Sequence, residues 1–243
     1  VNVSLFQAAA AMTANARWQD VISGNLAATT VPGYKRQEVS FSAIEAGQAA
    51  GAANYSLPQA KAVTSFRQGE LRPTSVPTDV ALEGKGFFSV RLPNGAEGYT
   101  RDGEFHVNSL GEMVTKQGYQ VMGDSGPIQL DRNSAAPLTI SADGEVRQGS
   151  EMKGKLKVTE FNNPQLLTDA GSGCYLANDP ALAGQPATTP QVRQAYLENS
   201  NTTSVLEMAS LISAMRAFEA SQRVIQAQDD RMGKAIQEIA NPN

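Results

Sequence analysis

Four carboxylates, Asp79, Glu83, Asp102 and Glu104, are the nearest thing in this sequence to catalytic equipment. Two carboxyl groups held on either side of a sugar would supply the acid and base, or the acid and nucleophile, of glycoside hydrolysis. Asp102, however, is followed by Gly103, and Asp is favoured in turns because its carboxylate bonds the local backbone. His106 is the only histidine and sits in an alternating, strand-like run. A nucleophilic triad would need that one residue to find both a nucleophile and an orienting acid. Cys174 is the only cysteine, so no internal disulfide forms, and no second thiol or nearby histidine stands with it to hold zinc. Glu83-Gly84-Lys85-Gly86 has glycines suited to a phosphate loop. Ser89 stands where the dinucleotide fingerprint needs a third glycine, and no helix follows. The expectation is a chain with no catalytic residues, no cofactor and no metal.

Totals narrow the partners. The chain has 243 residues and a formal net charge of −4, with Lys and Arg scattered rather than striped, so nucleic acid is not an expected partner. Lys35-Arg36 is an isolated pair, read as a solvated helix end. No apolar run of about 18 residues exists to span a membrane. The N-terminal stretch lacks a basic region followed by an apolar core and a small-residue cleavage site. Export, if it occurs, is expected without a removable Sec-type leader.

The elements that would position these residues fall into four stretches. Residues 1–36 read as an N-terminal helix over 3–28, with Leu5, Ala8, Met12, Ile22 and Leu26 on one face and Pro32-Gly33 ending it. Residues 37–77 are polar and rich in Ala, Ser and Gln, and read as an extended linker. Residues 78–190 read as an all-β domain of short strands. Gly84-Lys85-Gly86, Asn94-Gly95, Asp102-Gly103, Gly111 and Asp143-Gly144 are its expected turns. Residues 191–243 carry the C-terminal helix.

In that helix Ser204 and Glu207 have capping-box spacing. Behind them Met208, Leu211, Met215, Phe218, Gln222, Ile225, Asp229, Met232, Ile236 and Ile239 follow alternating steps of three and four. Eight of these ten positions are apolar, which is a coiled-coil pattern. The fold class expected is therefore α+β: a discontinuous coiled coil of N- and C-terminal helices, with an inserted all-β domain of short antiparallel strands. The N-terminal helix is the shorter, so part of the long seam should stay open for partner chains.

Three blocks carry a resemblance. Asp20-Val21-Ile22-Ser23-Gly24-Asn25-Leu26-Ala27 and Thr30-Val31-Pro32-Gly33-Tyr34-Lys35-Arg36 form the first. Asp79 to Phe88, Tyr99-Thr100-Arg101-Asp102-Gly103-Glu104-Phe105 and Gly118-Tyr119-Gln120-Val121 form the second. Leu197-Glu198-Asn199-Ser200-Asn201, Glu207-Met208 and Arg216-Ala217-Phe218-Glu219-Ala220 form the third. In this order they resemble the flagellar rod and hook axial family, and the length is similar to rod proteins of the proximal or distal type. Thr202 stands where the family commonly has Val.

The resemblance implies a structural subunit of the bacterial flagellar basal body, in the periplasmic part of the axis. It implies export by the flagellar type III apparatus and helical stacking, with paired terminal helices lining a tube and β domains outside. Torque transmission through that tube follows from the same resemblance. The partners implied are copies of the chain, other rod and hook axial proteins, the export apparatus and the surrounding ring proteins. On this reading Leu5, Met12, Ile22 and Leu26 pack against Met208, Leu211, Met215, Phe218 and Ile225. Met232 and Ile236 continue the assembly seam, and Asn25, Tyr34 and Arg216 make polar or aromatic contacts between subunits. The competing readings are a periplasmic module binding peptidoglycan or sugar, which would gather exposed aromatics on one β face, and a peptidoglycan hydrolase.

Overall fold

The computed structural model describes residues 3–46 and 55–240. They form two compact units. One comprises the described parts of Val1–Ala27, Gln37–Thr64 and Thr202–Asn243, and the other Ala28–Arg36 and Ser65–Asn201.

The helical unit contains α1 (Val3–Ala27), β1 (Gln37–Ala46), β2 (Tyr55–Thr64) and α2 (Ser204–Ala240). Asn25 lies against Glu207, Gln19 against Ala214 and Asn15 against Ser221, so the two helices run antiparallel. With Asn15 level with Ser221, Val3 lies beside about residue 233, so the C-terminal end of α2 runs roughly 10 Å past the start of α1. The stretch expected to be a linker instead begins with a ribbon, β1 pairing antiparallel with β2 from Gln37↔Thr64 to Ala46↔Tyr55. The alternation is present in β1 only as Val39 and Phe41 between polar neighbours, and Ala43-Ile44 then breaks it. It is faint because small residues occupy many of the alternating sites. Trp18 of α1 meets Phe41 edge-on at 5.7 Å, which ties the ribbon to the helix. Pro58 is tolerated in β2 because a two-stranded ribbon has an open edge for a residue without an N–H.

The β unit begins with β3 (Leu71–Pro73), β4 (Val80–Glu83), β5 (Phe87–Arg91), β6 (Glu97–Thr100), β7 (Phe105–Val107), β8 (Met113–Thr115), β9 (Gln120–Gly123) and β10 (Gly126–Pro127). It continues through β11 (Leu138–Ile140), β12 (Glu145–Gln148), β13 (Glu151–Lys155), β14 (Val158–Phe161), β15 (Thr168–Gly171) and β16 (Cys174–Leu176). The last strands are β17 (Gly184–Pro186), β18 (Gln191–Gln194) and β19 (Tyr196–Glu198). A ten-stranded sheet follows the path β15-β16-β6-β5-β9-β8-β7, with β10 on β9, β14 on β5 and β17 on β14. β11-β12-β13 form a second sheet, while β18 pairs with β4 and β19 with β3.

Strand alternation builds two cores from one dipeptide. Phe88 faces a cluster with Val80, Leu82, Met113, Val121 and Leu156, while Phe87 faces Phe161, Leu167, Tyr175 and Leu182. The expected domain ends shift in three places, one of them at residues 65–77, which were expected as linker but belong to the β unit and carry β3. Residues 191–201 belong to the β unit, because β18 and β19 complete pairs with β4 and β3, and residues 28–36 belong there too. Two expected turns also change role. Gly84-Lys85-Gly86 and Asp102-Gly103 connect strands that do not pair with each other, whereas Asn94-Gly95 does close the β5–β6 hairpin.

Candidate functional site

For a chain read as a structural subunit, the residues that matter are those holding the helices and those left uncovered. Along α2 the buried or half-buried positions include Glu207, Leu211, Ala214, Phe218, Ser221, Ile225 and Gln228, stepping by four and three. This line shares Leu211, Phe218 and Ile225 with the expected seam but replaces its Met208, Met215 and Gln222 with Glu207, Ala214 and Ser221. Ala214 is wholly buried, and Gln19 Nε2 donates to its carbonyl at 3.4 Å. On α1, Ile22 is buried and Leu5, Met12 and Leu26 are half-buried. Met208 and Met215, expected against α1, are instead 53% and 50% exposed. An alanine-rich helix approaches its partner closely through small side chains, so the methionines fall beside the contact line rather than on it.

Ile236 and Met232 are exposed near the overhanging end of α2, Arg216 is exposed, and the side chain of Ile239 lies outside the described residues. Tyr34 is half-buried in the β unit. Asn25, expected between subunits, is 1% exposed. Its amide donates to the Gln37 carbonyl at 2.8 Å and accepts the Gln37 N–H at 2.9 Å, which fastens β1 to the end of α1. Asn25 Nδ2 also reaches Glu207 Oε2 at 3.4 Å, and the Thr202 hydroxyl donates to the other oxygen at 2.8 Å. Buried polar groups satisfied in this way fix one helix register.

The β unit contains a cluster that local sequence patterns did not reveal. Glu198, at the end of β19, is 1% exposed and accepts from Lys35 Nζ at 2.5 Å, the Gly69 N–H at 2.8 Å and Arg101 Nη1 at 3.4 Å. Lys35 is as deeply buried, contrary to its expected place at a solvated helix end, and donates also to the Arg67 carbonyl at 2.9 Å. Arg101 spends Nη2 on the Gly84 carbonyl at 2.7 Å and lies over the Phe87 ring. Burial pushes the Lys35 ammonium below its ordinary pKa, opposed by the adjoining Glu198 charge, and the Arg101 guanidinium is lowered by burial in the same way. Backbone bonds reinforce the junction: the Gly33 N–H donates to the Glu198 carbonyl at 2.7 Å, and the Arg36 N–H to Asn201 Oδ1 at 2.7 Å. Two of the resemblance blocks, around residues 30–36 and 197–201, thus meet in space. Their pairing is the signal that could have exposed the cluster.

The carboxylates first considered for catalysis are dispersed in role. Glu83 is exposed and pairs with Arg193 at 2.6 Å, and Asp102 caps a turn by accepting the Glu104 N–H at 2.9 Å. Burial raises the Asp102 pKa to about 6. The folded chain therefore holds this proton to higher pH than the unfolded chain, and the associated stability fades as pH rises from about 3.8 through about 6. Asp102→Asn keeps the acceptor and removes the charge. Relative to wild type, the variant should gain about 3 kcal/mol of unfolding free energy between pH 3.5 and 7.5, the equivalent of about two pKa units. Urea titrations at both pH values measure it, and a pH-independent difference refutes it. His106 is exposed on β7, and Cys174 is buried, its thiol raised to about 11 chiefly by burial. Among the described residues no group of acidic, histidine or cysteine side chains is arranged to hold a metal, and no helix is long and apolar enough to cross a membrane.

Residues 81–148 match the family model of the flagellar hook protein FlgE/F/G D1 domain, and residues 193–238 that of the flagellar basal body rod FlgEFG protein C-terminal region. The chain is 32% identical over 259 aligned positions to the flagellar basal-body rod protein FlgG of Borreliella burgdorferi, covering 96% of this chain and 97% of that one. It is 30% identical to the rod protein FlgF of Caulobacter vibrioides, with 92% of each chain covered. The FlgF of Escherichia coli K12 is also 30% identical, with 96% of this chain and 97% of the relative covered. Similarity that runs the length of both partners, joined to two family domains in their order, makes this chain a member of the flagellar basal-body rod proteins of the FlgF/FlgG type, structural subunits of the rod.

Proposed function

We propose that the subunit polymerises through the uncovered face of α2. On this reading its terminal helices form a discontinuous coiled coil, interrupted in sequence by the β domain, that is completed only when copies or other rod and hook axial proteins cover it. The observation that carries the reading is two exposed apolar groups on one helix, Val205, Met208, Ile212 and Met215 near its start and Met232 and Ile236 near its end, each 38% exposed or more. A single buried side chain of this kind contributes roughly 1.5–3 kcal/mol, so leaving these groups in water is costly unless another chain covers them. Stacked seams would spread torque over many contacts along a hollow shaft in the periplasm. Delivery by the flagellar type III apparatus and passage within surrounding ring proteins belong to the same proposal. No catalytic step is assigned to the chain.

The test is Met215→Glu. Because Met215 is half exposed, the charge should leave the monomer folded, with unchanged circular dichroism and thermal transition. Incorporation into isolated basal bodies should be lost. Normal incorporation of the folded variant would rule out this face.

A further inference from the structure

The β unit holds a cavity of about 260 Å³ walled by Phe66, Phe87, Phe161 and Pro164, with Arg101 in its lining and the exposed Lys85 at its edge. Arg101 is 4% exposed, and its buried Nε–H has no partner among the described residues. A buried donor left unpaired forfeits its hydration for nothing in return.

The local charge is also out of balance. Lys35 and Arg101 are two buried cations that share one buried carboxylate, Glu198. Glu160, half-buried on β14, attracts Arg101 only at longer range. Lys85 makes no ion pair with any described residue. Charges in such a poorly polarisable setting act strongly on whatever enters it. Aromatic and proline walls accept a flat apolar group, while the excess of cation beside them favours an anionic one.

We propose that this cavity binds a carboxylate carried on a ring-sized apolar group. A cationic ligand meets like charge, and a neutral apolar ligand leaves the excess charge unbalanced. The same chemistry is offered by a free arylalkanoic acid and by the C-terminal carboxylate of a peptide ending in an aromatic residue. The site is independent of the helix face through which the chain is read to assemble.

The experiment is a titration of the full chain, followed through the arginine Nε–H and backbone amide signals in proton–nitrogen correlation spectra. The probes are 3-phenylpropionate, its neutral amide, and N-acetyl-Ala-Phe with a free C-terminus. At least one acid should give saturable shifts at Arg101 Nε–H and at the Gly86 and Phe87 amides, with the neutral amide binding about tenfold more weakly, as expected for one charge-assisted contact. Lys85→Gln, on an exposed side chain, should weaken the acid about threefold or more while leaving the spectrum of the folded chain intact. Tighter binding of the dipeptide assigns a chain terminus, and tighter binding of phenylpropionate assigns a free acid. Absence of saturable shifts with both acids overturns the proposal. So does equal binding of acid and amide, or unchanged affinity in Lys85→Gln.

Discussion

Glu198→Gln should lower the unfolding free energy of the β unit by about 3–5 kcal/mol, the range found when one partner of a buried ion pair is removed. The magnitude follows from what stays behind. Glutamine keeps an oxygen to accept the Gly69 N–H, so the change removes mainly charge. Lys35 and Arg101 then remain as two cations, 1% and 4% exposed, with no carboxylate in contact. The variant's deficit should shrink at strongly alkaline pH, where Lys35, already lowered by burial, gives up its proton more readily once its counter-charge is gone. Urea unfolding at neutral and alkaline pH reads both effects. A loss below 1 kcal/mol would mean that the cluster is hydrated and that burial does not govern its energetics.

The second large effect is expected at the segment that leaves α1. Gly33 has φ of 67°, and a Cβ there would stand 2.4 Å from the Arg101 carbonyl carbon and from the Asp102 nitrogen. Both are backbone atoms and cannot swing aside. Gly33→Ala therefore combines left-handed strain with overpacking, and should cost about 2–4 kcal/mol while weakening the Gly33 N–H bond to the Glu198 carbonyl. Gly24 supplies the control. It lies within α1 with nothing within 4 Å of its added Cβ, so Gly24→Ala should be neutral or raise stability by up to about 1 kcal/mol. Denaturant midpoints of the two variants, measured side by side, must move in these different ways. Equal behaviour would show that the close approach at Gly33 does not control stability.

These expectations differ in how visible they were from residue order alone. Both helices were legible because Pro32-Gly33 and the Ser204–Glu207 spacing mark their ends, and the structure sets them at Val3–Ala27 and Ser204–Ala240. The covered line of α2 was legible only at Leu211, Phe218 and Ile225. Apolar periodicity weights large side chains, whereas the line against α1 is set by small and hydrogen-bonded ones, Ala214, Ser221 and Glu207. The periodic signal therefore traced much of the apolar surface left in water.

The β1–β2 ribbon hid in a run of alanine and serine, where alternation carries little hydropathy contrast. Lys35 and Glu198 are separated by 163 positions, and no local window can contain both. Asn25 was expected to make a contact between subunits, whereas its amide is engaged within the chain. A polar side chain at a helix end reads alike whether it reaches another chain or, as here, closes on Gln37 twelve residues later.

The 163-residue separation between Lys35 and Glu198 also orders events in time. Closing so large a loop carries an entropic cost that only the contacts formed at closure repay, which slows any step that depends on it. A chain appearing N-terminus first would hold Lys35, and later Arg101, in water as ordinary solvated cations until β19 emerged. The junction around Lys35 would thus lack its carboxylate until the last strand of the unit arrives. Glu198 would act as a late latch whose arrival commits the unit to its final topology.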